Sequence, residues 1–356
     1  MKHGLIFGVS ALLLALSYTN SAHAGCRFRT GSGTLDYTLD AGTLWIPRDA
    51  PIGTPIGPVD RDTTLTNAAG LELVCYDDGG APMEAALRPT VPIFPGALPP
   101  VNGEDLTGRV LETGVPGIGI HVRLVHPYNN PSAPNAWRPR TWASVPYEGY
   151  TNHHTGPLGI VMNVMRTHTT LVKTGPIQST PIPFNNKQLF IGQYSDVGTA
   201  LRFSLNGTVK QEQCTLLPYP FSADPVQLGE YPVQDFTGEG YTTPAKPFQI
   251  TLSDCEIDPI SSTAQAYLRF EGVRGSLPID ADRGLFSLTT DSTASGLGIQ
   301  LLHDDGRPVE LNVDVPVKPL EVGVTQLDFR ARYLQTDADV SPGRADGALK
   351  FTVSYR

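Results

Sequence analysis

Apolar residues in this 356-residue chain recur at every second position, in short runs broken by glycine, proline, asparagine and aspartate, and helical periodicity is nearly absent. A period of two puts alternate side chains on opposite faces of an extended strand, so the pattern commits the chain to sheets with one face in a core. Glycine (36 residues) and proline (32) reinforce this, because both oppose long helices. The alternation predicts strands over Leu35–Leu39, Gly70–Cys75, Ile118–Val125, Leu158–Arg166 and Thr169–Thr174 in the first half. In the second half it predicts Leu201–Val209, Pro247–Leu252, Gln265–Gly272, Gly298–Leu302, Gln326–Leu334 and Leu349–Tyr355. The last is the cleanest, with Leu349, Phe351, Val353 and Tyr355 on one face. Only Arg356 follows it, so the expectation is an apolar edge strand that invites pairing from another chain. Assembly, rather than catalysis, is the function such an edge announces.

Residues 1–24 read as a secretory signal peptide: Lys2 gives positive charge, Leu5–Leu16 a short apolar run, and Ala22-His23-Ala24 a cleavage site. Cleavage there starts the exported chain at Gly25. The run is too short to span a bilayer, and no later segment reaches the roughly 18 apolar residues a spanning helix needs. The formal net charge is −9, and losing Lys2 takes it to about −10. That acidic balance favours solubility and argues against nucleic acid or anionic membrane surfaces as partners. Cys26, Cys75, Cys214 and Cys255, sent to an oxidising compartment, imply two disulfides. Of the three possible pairings the spacing favours Cys26–Cys75 and Cys214–Cys255, one per half. Each closes a loop of about 40 to 50 residues, worth on the order of 2–4 kcal/mol.

An exported length of about 330 residues suggests two domains. Gly175–Asn186, with Pro176, Pro181 and Pro183, reads as a linker or the last edge of the first domain. The expected division is therefore 25–197 and 198–356.

The second half carries ordered landmarks. Asn206-Gly207-Thr208-Val209 leads to Cys214, and Pro247–Asp254 leads to Cys255. Leu268-Arg269-Phe270-Glu271-Gly272, Ala294–Leu301, Phe329–Tyr333, Val340-Ser341-Pro342-Gly343 and the penultimate Tyr355 follow. Over roughly residues 200–356 this resembles the pilin domain of chaperone–usher fimbriae. The resemblance implies an all-β chain of two immunoglobulin-like β-sandwich domains, the C-terminal one lacking its last strand. That strand comes first from a periplasmic fimbrial chaperone and then, through the outer-membrane usher, from an adjacent fimbrial subunit, by donor-strand complementation. Leu349, Phe351, Val353 and Tyr355 are expected to line the groove that receives it. Ordinary members donate an extended arm ahead of their first cysteine, whereas here Cys26 directly follows Gly25. The layout therefore resembles a two-domain tip adhesin, which accepts a strand and donates none.

The first domain is expected to bind a host or surface glycan receptor. In mannose-binding relatives an acidic/amide pair directly follows the second cysteine and acts with the mature N-terminus, and the resemblance points to Gly25, Asp77 and Asp78 at the same place here. A carboxylate there can accept hydrogen bonds from vicinal sugar hydroxyls, although Asp77-Asp78-Gly79-Gly80 is equally a turn. Trp137, Trp142, Tyr147 and Tyr150 in a proline-rich loop can stack on sugar faces or, alternatively, pack the sandwich flank. Five histidines of the first domain (His121, His126, His153, His154 and His168) lack metal-ligand spacing, so no metal or other cofactor is expected. No nucleophile elbow, free cysteine or phosphate loop supports an enzyme. The remaining alternative is a non-binding subunit that caps or initiates the fibre.

Overall fold

Two separate hydrophobic cores organise the strands of the computed structural model, which describes residues 25–77, 82–130, 132–133, 135–151, 159–179 and 181–356. The N-terminal part holds β1 (Gly25–Phe28), β2 (Leu35–Pro47), β3 (Pro55–Thr66), β4 (Leu73–Tyr76), β5 (Met83–Pro89), β6 (Val110–Glu112) and β7 (Ile118–Leu124). It continues with β8 (Arg138–Pro139), β9 (Tyr147–Thr151), β10 (Ile160–Met162), β11 (Val164–Lys173), β12 (Ile182–Pro183), β13 (Lys187–Tyr194) and β14 (Gly198–Thr215). One layer runs β3-β11-β7-β6; another runs β14-β13-β5-β9-β8, with β2 and β12 also on β14. Ile120, Val122 and Leu171 from the first layer meet Leu35, Tyr37, Phe190 and Phe203 from the second in one core. The small sheet β1-β4-β10 carries the Cys26–Cys75 disulfide, whose cysteines face each other across the ladder.

The C-terminal part holds β15 (Lys246–Glu256), β16 (Gln265–Gly272), β17 (Pro278–Asp280), β18 (Leu285–Ser287), β19 (Leu297–His303), β20 (Val315–Pro319), β21 (Gly323–Gln335) and β22 (Leu349–Tyr355). Strands β17-β18-β19-β21-β15 face the three-stranded sheet β20-β16-β22 across a core built on Ile250, Leu268, Phe270, Leu327 and Phe329. Cys214–Cys255 ties the end of β14 to β15. Both disulfides follow the pairing the spacing favoured.

The expected boundary needs revision. Leu201, Phe203, Leu205 and Val209 lie in the first core, all four paired in parallel with β2 and the first three antiparallel with β13. Gly175–Asn186 is not a free linker, because Ile182 pairs with Val209 and Phe184 is buried. The two cores part inside β14, between Val209 and Cys214, so one unbroken strand joins the two sandwiches. At about 3.3 Å per residue, a strand of 18 residues spans roughly 60 Å, enough to cross from one core to the other.

Parallel pairing of β14 with β2 depends on Gly207. It sits at φ +123° where the register slips between Asn206 and Thr208, and a Cβ there would stand 2.7 Å from the Gly42 carbonyl oxygen. Both the backbone angle and the close approach exclude a side chain. Gly207→Ala should cost about 1–3 kcal/mol, read as a lower denaturation midpoint. An unchanged midpoint would show that the two strands can separate here without loss.

Candidate functional site

Strand β22 pairs with β16 along one edge, from Ala266 opposite Tyr355 to Gly272 opposite Leu349. Arg356 exchanges both backbone hydrogen bonds with Gln265, so the even-numbered residues turn their N–H and C=O groups toward β16. Leu349, Phe351, Val353 and Tyr355 therefore turn theirs to the outer edge, and among the described residues no strand pairs there. The same residues aim their side chains at the core, yet Leu349, Phe351 and Val353 are only half-buried, while Ala266, Leu268 and Phe270 opposite are buried. The difference marks a missing cover. The far wall is segment 220–222, where Phe221 bridges to Ile250 and its ring meets Phe351 edge-on at 5.4 Å. The result is a groove with an apolar row and an edge of backbone groups that no strand pairs, the two things an added strand needs.

Tyr355 differs from the other three. It is buried (2% exposed), and its hydroxyl donates to the Cys214 carbonyl at 3.0 Å. The Arg48 guanidinium lies 4.7 Å above its ring, and burial raises its phenol above the ordinary range. It anchors the end of β22 and does not line the open groove.

The first-domain candidates scatter. Trp137 (0% exposed) and Tyr147 belong to the core, packed against Tyr194 and Tyr128, so neither can stack on a ligand. The sugar-stacking reading therefore fails for these two, which pack the sandwich instead. Trp142 is 44% exposed, with the Arg109 guanidinium 5.3 Å from its ring. Tyr150 is half-buried beneath Arg140. Asp77 is buried next to Tyr76, the register partner of Gly25. Asp78, His153 and His154 lie outside the described residues.

Sequence patterns did not single out a polar hollow of about 40 Å³ on the outer side of the β3-β11-β7-β6 sheet, bounded by Asp60, Asn102, Glu104, His121 and Thr170. Loop 94–110 folds over this side with a small core of its own, including Leu98, Val101 and Leu106. Asp60 pairs with Arg123, Glu104 with Arg109, and Arg109 in turn reaches Trp142, so one guanidinium links the exposed indole to a carboxylate of the hollow. His121 is 3% exposed and its Nε2 has no hydrogen-bond partner. Burial lowers its imidazole to about 4; Glu104 and Asp60 oppose the shift, Arg109 and Arg123 add to it. The signal was local: β7 is buried on both faces, and His121 is the one ionisable residue in it that is fully buried, Arg123 being half-buried.

Residues 203–356 match the family model described as Fimbrial protein. S-fimbrial protein subunit SfaG of Escherichia coli O6:K15:H31 is 30% identical over 153 residues, covering 43% of this chain and 82% of that subunit. The probable major fimbrial subunit LpfA of Escherichia coli O157:H7 is 34% identical over 132 residues, covering 36% of this chain and 70% of that one. Among solved structures, the CupB6 tip adhesin from Pseudomonas aeruginosa covers 93% of this chain and 94% of its own, at 15% identity and TM-score 0.34, too low to equate the folds.

Two consequences are measurable. Trp137→Ala should cost about 3–5 kcal/mol by opening the core, whereas Trp142→Ala should stay within about 0.5 kcal/mol; equal denaturation midpoints for the two variants would contradict this placement. Folded His121 stays neutral where the unfolded imidazole gains a proton, below about pH 6.5. Its contribution to stability is thus full above that pH and is lost as pH falls toward 4. The stability gap between the natural chain and His121→Gln should shrink on going from pH 7 to pH 5.

Proposed function

The chain belongs to the fimbrial protein family, and from that premise we propose that it is a fimbrial tip adhesin. Its C-terminal sandwich accepts a strand from the adjacent subunit, and its N-terminal sandwich meets a glycan receptor. The half-buried row Leu349, Phe351 and Val353 beside an unpaired strand edge carries this reading. A donated strand completes the ladder, and its alternate side chains fill the groove. Before assembly a periplasmic chaperone fills it, and the outer-membrane usher passes the chain on; export through the signal peptide of residues 1–24 brings it to the periplasm.

The tip position is supported by what precedes the acceptor sandwich. Ordinary subunits of this kind carry an extended arm there. In this chain Gly25–Phe28 are hydrogen-bonded to β4, and the first two-thirds of β14 to β2 and β13. Strands committed to their own sandwich cannot be donated. The two domains meet within β14.

We assign the receptor face to exposed Trp142 and the hollow of Asp60, Asn102, Glu104 and His121. An indole face suits the C–H side of a sugar, while carboxylate, amide and imidazole suit its hydroxyls. Gly25 and Tyr150 lie on other sheets, Asp77 directly follows β4, and none of the three is assigned to this face. Ligand is held without turnover.

Expressed without chaperone or fused donor strand, the chain should aggregate or be degraded, and a fused strand of alternating apolar residues should restore soluble monomer. Soluble, folded monomer without either would contradict strand acceptance. On a glycan array the donor-complemented chain should bind, and Trp142→Ala should abolish binding with no change in fibre number. Cells matched for fibre number that adhere equally with and without this subunit would mark a cap in place of an adhesin, whereas equal adhesion with and without Trp142 would move the receptor face elsewhere on the first domain.

A further inference from the structure

The outer edge of β22 is not open along its whole length. At its last rung Asp49, in the loop after β2, takes the place of a strand residue. The Asp49 N–H donates to the Tyr355 carbonyl at 2.9 Å, and the Tyr355 N–H donates to the Asp49 Oδ2 at 2.9 Å. Arg48 completes the cap. Its guanidinium holds the Asp49 carboxylate, covers the Tyr355 ring, and sends Nη2 to within 3.4 Å of the Val353 carbonyl.

The capping loop is itself fixed by the first sandwich. The Lys173 Nζ donates to the Arg48 carbonyl at 2.8 Å, and the Arg48 N–H donates to the Glu212 carbonyl at 3.1 Å. These bonds come from β11 and β14, so the cap belongs to the N-terminal domain while the edge it closes belongs to the C-terminal one.

We propose that Arg48 and Asp49 form a register stop: the donated strand pairs with Leu349, Phe351 and Val353 and ends against the first sandwich at Asp49. This rests on the strand-accepting reading given above and goes beyond it, because it makes the receptor-bearing domain a wall of the groove. Successive outward-facing rungs lie two residues apart, close to 7 Å. A strand two residues longer must either displace Asp49 or turn away from the edge. The partner is thus an extended segment of alternating apolar residues whose paired length is fixed by this chain.

Nested peptides test the stop. The full chain is refolded with a synthetic alternating apolar peptide that spans the rungs at Leu349, Phe351 and Val353, or with one lengthened by two residues at one end or the other. Dissociation is followed by a fluorescent chase. With the natural chain, lengthening at the end that meets Asp49 should change the dissociation rate less than twofold. With Arg48→Ala/Asp49→Ala, which frees the Tyr355 N–H, the same lengthening should slow dissociation roughly fivefold, the effect of about one added hydrogen bond. Asp49→Asn keeps an acceptor at the rung and should behave as the natural chain does. A gain from the longer peptide on the natural chain, or none on the double variant, overturns the stop while strand acceptance stands. Failure of every peptide to bind overturns both.

Discussion

Leu349, Phe351 and Val353 hold two kinds of unmet demand at once. Their backbone groups face outward without a partner strand, and their side chains face a core that covers them only in part. Either demand alone is ordinary at a sheet edge. Together they define a groove whose filling requires a strand, since a helix or a loop satisfies the apolar row without completing the ladder. The packing of the C-terminal sandwich depends on this row: Phe351 touches Phe221 on one wall and Phe270 in the floor, so a strand laid between them extends an existing core.

The joint between the two sandwiches follows from a second constraint. Because β14 enters both cores without a break and is gripped by β2 and β13 on the way, the domains are connected by paired strand and not by a tether. The Cys214–Cys255 disulfide sits where β14 enters the second core, and the Arg48–Asp49 loop reaches across to β22 near the same place. Tyr355 ties these features together: its hydroxyl bonds the Cys214 carbonyl, and its backbone bonds Asp49. A load pulling on a strand seated along β22 would therefore reach the N-terminal domain through hydrogen bonds as well as through the chain.

Alternation made the second domain legible, because β15, β16 and much of β21 bury one face each. The run Gln265–Gly272 and the run Leu349–Tyr355 appear in the structure with the bounds read from the sequence. The first domain was harder. Strand β11 is buried on both faces over its second half, which blurs the period and split one strand into two expectations. Strand β3 exposes most of its residues and offers no apolar period. Gly175–Asn186 looked like a linker for its prolines, yet Phe184 is seated in the core. The aromatic loop held a similar ambiguity: composition cannot tell Trp137, which fills the core, from Trp142, which faces solvent, because the turn that separates them is tertiary. Asp49 was invisible for the same reason, since its partner lies 306 residues away.

Amide hydrogen exchange along β22 tests the central claim most directly. In the chain without a donor, the N–H groups of Leu349, Phe351 and Val353 should exchange rapidly, while that of Tyr355, bonded to Asp49, and those of Lys350 and Thr352, bonded to β16, are protected. Adding an alternating apolar peptide should slow exchange at all three. Strong protection of Leu349, Phe351 and Val353 before any peptide is added would mean that the edge is already closed and that the account is wrong.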